Sequence, residues 1–119
     1  MKIKGYCCSQ LVVAGTGIDP SGEGYDVLMR SLRGLCVGMF GKKTCGALTG
    51  GACALALYLD GADLAETCRR LAEWFESRFG GIECKDLNGA ADVPTMICMD
   101  IVRETCAQCV DMLTDYDCL

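Results

Sequence analysis

The sequence predicts a single all-α domain, built as an antiparallel bundle of about five helices. Apolar residues recur at the helical spacing of three and four in several segments, and no segment shows the alternation of a β-strand. Only two prolines occur, so few positions interrupt a helix. The 119 residues suffice for one hydrophobic core but not for two, so we expect residues 1–119 to form one domain.

Five segments carry these helical patterns. The fourth is the clearest, because Leu71 and Phe75 belong to an apolar stripe while charged residues occupy the other faces. Thr44 is the predicted N-cap of the third segment, Asp60-Gly61 its predicted end, and Gly80-Gly81 the predicted end of the fourth. The predicted helices are 6–16, 25–39, 44–59, 63–79 and 94–114.

The composition argues against several classes of function. A net charge of −5 and a pI near 4.6 argue against nucleic-acid binding, which requires a basic face. The absence of histidine excludes Ser/His/Asp and Cys/His catalysis and histidine metal ligands. The longest uncharged run, 44–59, has 16 residues, fewer than the roughly 20 that cross a membrane. We interpret it as a buried core helix and expect no membrane span.

Cysteine is the most unusual feature of the composition. In a short secreted chain this density is typical of a disulfide scaffold. However, eleven is an odd number, and the apolar run 11–14 is too short for the core of a signal peptide. We therefore predict a cytoplasmic protein with thiolate or metal chemistry. The cysteines are residues 7, 8, 36, 45, 53, 68, 84, 98, 106, 109 and 118.

The predicted topology brings distant cysteines together. Short connections favour antiparallel neighbours, so successive helices alternate in direction and odd-numbered helices start at one end of the bundle. That end is predicted to hold a sulfur-rich site. The cysteines expected there are Cys7, Cys8, Cys36, Cys45, Cys84 and Cys98.

Cys45 lies in a sequence environment suited to a thiolate. It follows Lys42 and Lys43 and begins a helix, where unpaired N–H groups and the helix dipole favour negative charge. Gly46 and Gly50 are four residues apart and leave one helix face without side chains. Another backbone, or a bulkier group, can approach such a face closely, so both glycines are candidate cofactor contacts.

Four further cysteines have two interpretations, a second layer of ligands or core filling. Core filling is reasonable because buried cysteine behaves as a small hydrophobe. A Cys-x-x-Cys pair among them falls in mid-helix, unlike a thioredoxin motif at a helix start. The four are Cys53, Cys68, Cys106 and Cys109, and Cys118 is predicted to be a tail thiol.

Four sequence elements, in order, span nearly the whole chain. They are Cys8-Ser9-Gln10, Cys45-Gly46-Ala47-Leu48-Thr49-Gly50, Phe79-Gly80-Gly81-Ile82-Glu83-Cys84, and Cys98 with Val102-Arg103. They resemble the C-GCAxxG-C-C family of redox-active proteins. Related sequence occurs in split-Soret cytochromes, which carry haem and an iron–sulfur centre, but covalent haem is excluded here because Cys-x-x-Cys-His is absent. The resemblance implies a functional set of Cys8, Cys45, Cys84 and Cys98, with Cys7 or Cys36 as substitutes.

Three hypotheses follow. In the first, Cys8, Cys45, Cys84 and Cys98 bind an iron–sulfur cluster that passes electrons to a partner oxidoreductase, since four thiolates without histidine suit such a cluster. In the second, no metal binds, and Cys45 is the nucleophile of a dithiol couple resolved by Cys8 or Cys84. In the third, the site holds structural zinc. An electron carrier or accessory subunit is expected rather than a stand-alone enzyme, and Trp74 either faces another copy in a homo-oligomer or extends the core.

Overall fold

The computed structural model describes residues 6–36, 38–84, 87 and 96–116, with their side chains except those of Lys42 and residues 96–98. In this part of the chain the predicted all-α architecture is confirmed. The α-helices whose bounds are described are α1 (Cys8–Gly15), α2 (Tyr25–Leu32), α3 (Gly46–Ala56), α4 (Gly61–Phe79) and α5 (Met96–Asp115).

Helix α3 lies at the centre of the fold and contacts α1, α4 and α5. Its small residues make this possible, because Gly50 faces Ser9 of α1 and Gly51 faces Leu71 of α4 and Cys109 of α5. A Cβ atom added at Gly50 would lie 2.6 Å from both the Cα and the carbonyl oxygen of Ser9. Close backbone contact therefore explains why α3 accepts glycines that cost about 1 kcal/mol each in a helix interior.

Two clusters of buried apolar side chains hold the helices together. The larger one joins α1, α3, α4 and α5 around Leu71 and Phe75, both fully buried. The smaller one holds α2, whose Met29 and Leu32 pack against Val13 of α1. Ala54 of α3 belongs to the same cluster, so α2 packs on the bundle through α1 and α3.

Two buried polar side chains of α1 bind the end of α2. The Ser9 hydroxyl donates to the carbonyl of Leu32 at 2.8 Å, and the Gln10 amide donates to the carbonyl of Met29 at 2.7 Å. The last carbonyls of a helix have no partner within it, so α1 supplies those partners. The prediction that this helix continues to residue 39 is therefore wrong: α2 ends at Leu32, and a 3-10 turn, Arg33–Leu35, follows.

Two other boundaries differ from the prediction. Cys45 is the N-cap residue of α3 in place of Thr44, because Thr44 pairs with Glu83 in an isolated antiparallel β-bridge. Helix α3 also ends earlier than predicted, and Asp60 precedes α4 as its N-cap residue. Pro94, the predicted start of the last helix, lies outside the described residues.

Helix α4 ends where predicted, at Gly80, whose φ of +82° is the left-handed conformation that favours glycine. Near this end the half-buried Trp74 packs edge-on against Phe75 and Phe79, with ring centroids 6.4 and 5.7 Å away. Trp74 therefore extends the core stripe of α4. Among the described residues, none of the helices combines the length and the apolar character needed to cross a membrane.

Candidate cysteine site

The bridge between Thr44 and Glu83 aligns two of the predicted site residues. The Cys45 N–H donates to the carbonyl of Ile82 at 2.7 Å, and the Cys84 N–H donates to the carbonyl of Lys43 at 2.5 Å. Cys45 is a helix N-cap and the chain becomes helical at Cys84, so this short bridge establishes that their backbones lie near each other. Both are buried.

Cys8 reaches the same region because the first turn of α1 lies against the first turn of α3. A Cβ atom added at Gly46 would lie 3.5 Å from the Cβ of Cys8 and 3.4 Å from the backbone nitrogen of Ser9. Gly46 directly follows Cys45, so the first turns of α1 and α3, which begin at Cys8 and just after Cys45, lie against each other. Gly50 admits the α1 backbone, and Gly46 admits both the carbonyl of Leu35, 3.0 Å from an added Cβ, and α1. Contact of these glycines with a cofactor stays a prediction.

Cys7 and Cys36, the predicted substitute ligands, form a disulfide with a Cα–Cα distance of 5.8 Å. Neither is a thiolate in this form of the protein. The bond joins the N-cap residue of α1 to the residue after the Arg33–Leu35 turn. The Cys7 N–H also donates to the Gln10 side chain at 3.0 Å. The start of α1, next to Cys8, is therefore stabilised by a disulfide to Cys36 and by a hydrogen bond within the helix.

Not every predicted ligand can be placed. Cys98 lies in the first turn of α5, but its side chain is outside the described residues, as is the whole of Cys118. Among the side chains that the structure does describe, no group of three or more Cys, Asp or Glu residues is arranged to hold a metal ion. Cys8, Cys45 and Cys84 lie on neighbouring segments, but their described side chains do not form a metal-binding group, so the four-cysteine set stays a prediction.

The N-terminus of α3 supplies the electrostatic character of this region. Cys45 is the N-cap residue, and its carbonyl accepts the N–H groups of Leu48 and Thr49 at 3.1 and 3.2 Å. The N–H groups of a first helical turn and the helix dipole both stabilise negative charge. Lys43, exposed to solvent, lies two residues before Cys45. We expect the N-terminus of α3 and the positive charge of Lys43 to stabilise a thiolate at Cys45.

Of the four cysteines with two interpretations, Cys109 belongs to the core, whereas Cys53, Cys68 and Cys106 are half-buried. Cys109 is fully buried, and its Sγ lies 3.8 Å from the carbonyl of Gly51. Burial, with smaller contributions from the neighbouring Cys106 and Cys68 thiols, raises the pKa of Cys109 to about 12. Burial is also the main cause that raises the pKa of Cys53, Cys68 and Cys106. Burial therefore acts against the thiolate form of each of these four cysteines.

We expect the raised pKa of Cys109 to make the protein less stable in alkali. Between pH 9 and pH 12 the unfolded chain has lost this thiol proton and the folded chain retains it, so stability falls as pH rises. The slope for this one group approaches about 1.4 kcal/mol per pH unit. Urea unfolding of the wild type and Cys109→Ala at pH 8, 9 and 10 measures it. If the free energy of unfolding fell equally with pH in both proteins, the loss could not be assigned to Cys109.

Two features of this site are missing from the sequence predictions. The Thr44–Glu83 bridge is a ladder of one residue on each strand, too short to produce an alternating pattern. The Cys7–Cys36 pair is separated by 29 positions, and sequence alone does not give disulfide connectivity. The recurrence of Cys7 beside Cys8 was the available signal that one of the two serves another role.

Comparison with known proteins now identifies the family. The model for "Putative redox-active protein (C_GCAxxG_C_C)" matches residues 6–113. The chain belongs to this family. The match covers α1 to most of α5, including Cys8, Cys45, Cys84 and Cys98, and it supports a redox role at the coarse level of the family description. No curated protein and no solved structure shows a significant match.

Proposed function

We propose that this C_GCAxxG_C_C protein is an electron carrier that holds an iron–sulfur cluster through Cys8, Cys45, Cys84 and Cys98. The observation that supports the proposal best is the Thr44–Glu83 bridge, whose two flanking hydrogen bonds hold the backbones of Cys45 and Cys84 near each other. Thiolates without histidine are the usual donors to iron–sulfur clusters. A bound cluster would supply one-electron chemistry, and a partner oxidoreductase would exchange the electron.

The chain's own residues fit this role in three ways. The backbone pairing of Thr44 with Glu83 would hold Cys45 and Cys84 near each other before a ligand binds, which would lower the ordering cost of binding. The N-terminus of α3 stabilises the negative charge of a thiolate-ligated group. Burial of Cys45 and Cys84 limits access of water, which influences the potential of such a site. The zinc alternative uses the same donors, and a cytoplasmic location stays a prediction.

Loading with iron and sulfide tests the proposal. Protein purified and reconstituted anaerobically should be brown, with visible charge-transfer absorption and bound iron. Cys84→Ser should lose most of that iron, because it removes a donor held by the bridge, while Cys118→Ser should keep it. Colourless wild-type protein, or equal iron in both variants, would count against the cluster. One zinc without iron would indicate the structural zinc site.

The Cys7–Cys36 disulfide favours a second candidate, a metal-free dithiol couple. Reduction would transfer two electrons and two protons from a dithiol reductase to the sulfur–sulfur bond, which gives two thiols and a disulfide on the reductase. Alkylation of the protein across graded thiol potentials separates the candidates. A reversible two-electron step confined to residues 7 and 36 supports the couple, and a disulfide that never opens in the folded protein excludes it.

A further inference from the structure

A loop beside the cysteine site exposes two large apolar side chains. We define the 38–43 loop as Gly38 to Lys43. Phe40 is 71% exposed and Met39 58% exposed, and these are among the most exposed large apolar residues that the structure describes. Single exposed apolar residues are common on protein surfaces, but two adjacent ones at the tip of a loop form a small patch of the kind that binds partners.

The backbone of this loop is strained in a way that presents these side chains. Met39 and Phe40 have φ values of 61° and 60°, in the left-handed region that residues other than glycine rarely adopt. Gly38 also has a positive φ, and a side chain there would overlap the backbone of Lys43. Such strain persists only where surrounding structure imposes it, and it is concentrated at functional sites.

The loop is attached directly to the candidate site. The Lys43 N–H donates to the carbonyl of Gly38 at 2.9 Å, which closes the loop at its base. The Lys43 carbonyl accepts the Cys84 N–H, and the next residue, Thr44, forms the bridge with Glu83. The base of the loop and the positions of Cys45 and Cys84 therefore depend on the same backbone.

The sequence that contains the loop is basic, whereas the whole protein has a net negative charge. Positions 27–59 contain four basic residues and no acidic one, in a chain of net charge −5. Of these basic residues, Arg30, Arg33 and Lys43 are exposed. The 3-10 turn that carries Arg33 packs against the loop. The exposed apolar tip thus belongs to a stretch of the chain whose charged residues are all basic, although Glu83 pairs with Thr44 just after the loop.

We propose that the 38–43 loop docks an acidic one-electron carrier protein, with Phe40 entering an apolar recess and Arg33 and Lys43 facing an acidic rim. This inference rests on the proposed function and names the partner of its site. Aromatic side chains supply much of the binding energy at protein interfaces, and complementary charge increases the rate of association. A cluster bound as proposed above would supply the acceptor for the one electron that a reduced carrier gives up.

Binding of purified carriers tests the inference without requiring a loaded cysteine site. Oxidised flavodoxin and a plant-type ferredoxin, both acidic, are titrated into the protein by calorimetry at low and high salt. Phe40→Asn removes the ring and keeps a residue that tolerates left-handed backbone. It should weaken binding of at least one carrier tenfold or more. Lys43→Gln should reduce the salt dependence.

The matched control is Val27→Ser, which removes an apolar side chain that is 70% exposed but lies on α2. It should bind like the wild type. No binding of either carrier by the wild type, or equal weakening by Phe40→Asn and Val27→Ser, would overturn the inference. Failure of the cluster proposal is separate, because it shows as absent colour and iron and leaves these titrations measurable.

Discussion

Gly50→Ala should destabilise the protein by about 3 kcal/mol, a large part of the 5–15 kcal/mol typical of a domain. The added methyl group would lie 2.6 Å from both the Cα and the carbonyl oxygen of Ser9. Backbone atoms cannot move aside as the end of a side chain can, so α1 would have to shift away from α3. Cys8 would shift with it. Urea unfolding monitored by far-UV circular dichroism measures the loss.

Alanine substitutions at two other glycines serve as controls for this prediction. Gly34→Ala meets no atom within 4 Å, so we expect a change of less than about 1 kcal/mol. Gly51→Ala meets the side-chain ends of Leu71 and Cys109 at 3.0 and 3.2 Å, which can adjust, so its loss should be intermediate. A Gly50→Ala protein as stable as Gly34→Ala would show that α1 and α3 are not in backbone contact.

Removing the Cys7–Cys36 disulfide should cost roughly 3.5 kcal/mol in the chain-entropy description, because the bond closes a loop of 29 positions in the unfolded chain. The double variant Cys7→Ser/Cys36→Ser should therefore unfold at lower urea than the wild type under oxidising conditions. The native contacts of α1 with α2 remain in this variant. The fold is thus expected to survive with reduced stability.

Reductant provides the internal control for this prediction. It should lower the unfolding midpoint of the wild type and of Cys118→Ser, and leave the double variant unchanged. If reductant destabilises the double variant as much as the wild type, the loss does not come from this bond. Equal midpoints for wild type and double variant under oxidising conditions would also exclude it.

The helical architecture was predictable because it follows from local periodicity. The apolar stripe through Leu71 and Phe75 identified α4, and Gly80 ended it as expected. The end of α2 was not predictable, because it depends on hydrogen bonds from Ser9 and Gln10, which are distant in sequence. Local pattern thus identified the helices, and tertiary contacts decided where one of them ends.

The candidate site was predictable in part for the same reason. The first turns of α1 and α3 do lie against each other, but the bridge that brings the backbones of Cys45 and Cys84 close involves no periodic pattern. A shared sulfur site stays a prediction. The role of Gly50 was open from sequence alone, because a bare helix face suits a cofactor and a neighbouring backbone equally. Only the position of Ser9 distinguishes them. The Cys7–Cys36 pair required three-dimensional proximity to be recognised.

The single-residue ladder between Thr44 and Glu83 has a consequence for biogenesis. The two bridged residues are 39 positions apart. Cys45 and Cys84 therefore become neighbours only after the two helices between them have been synthesised and have packed. Non-local contacts of this kind form late in folding. A cofactor that needs both sulfurs is then expected to bind after α3 and α4 have packed. Its bonds to Cys45 and Cys84 would stabilise the contact between the two ends of the 44–84 segment.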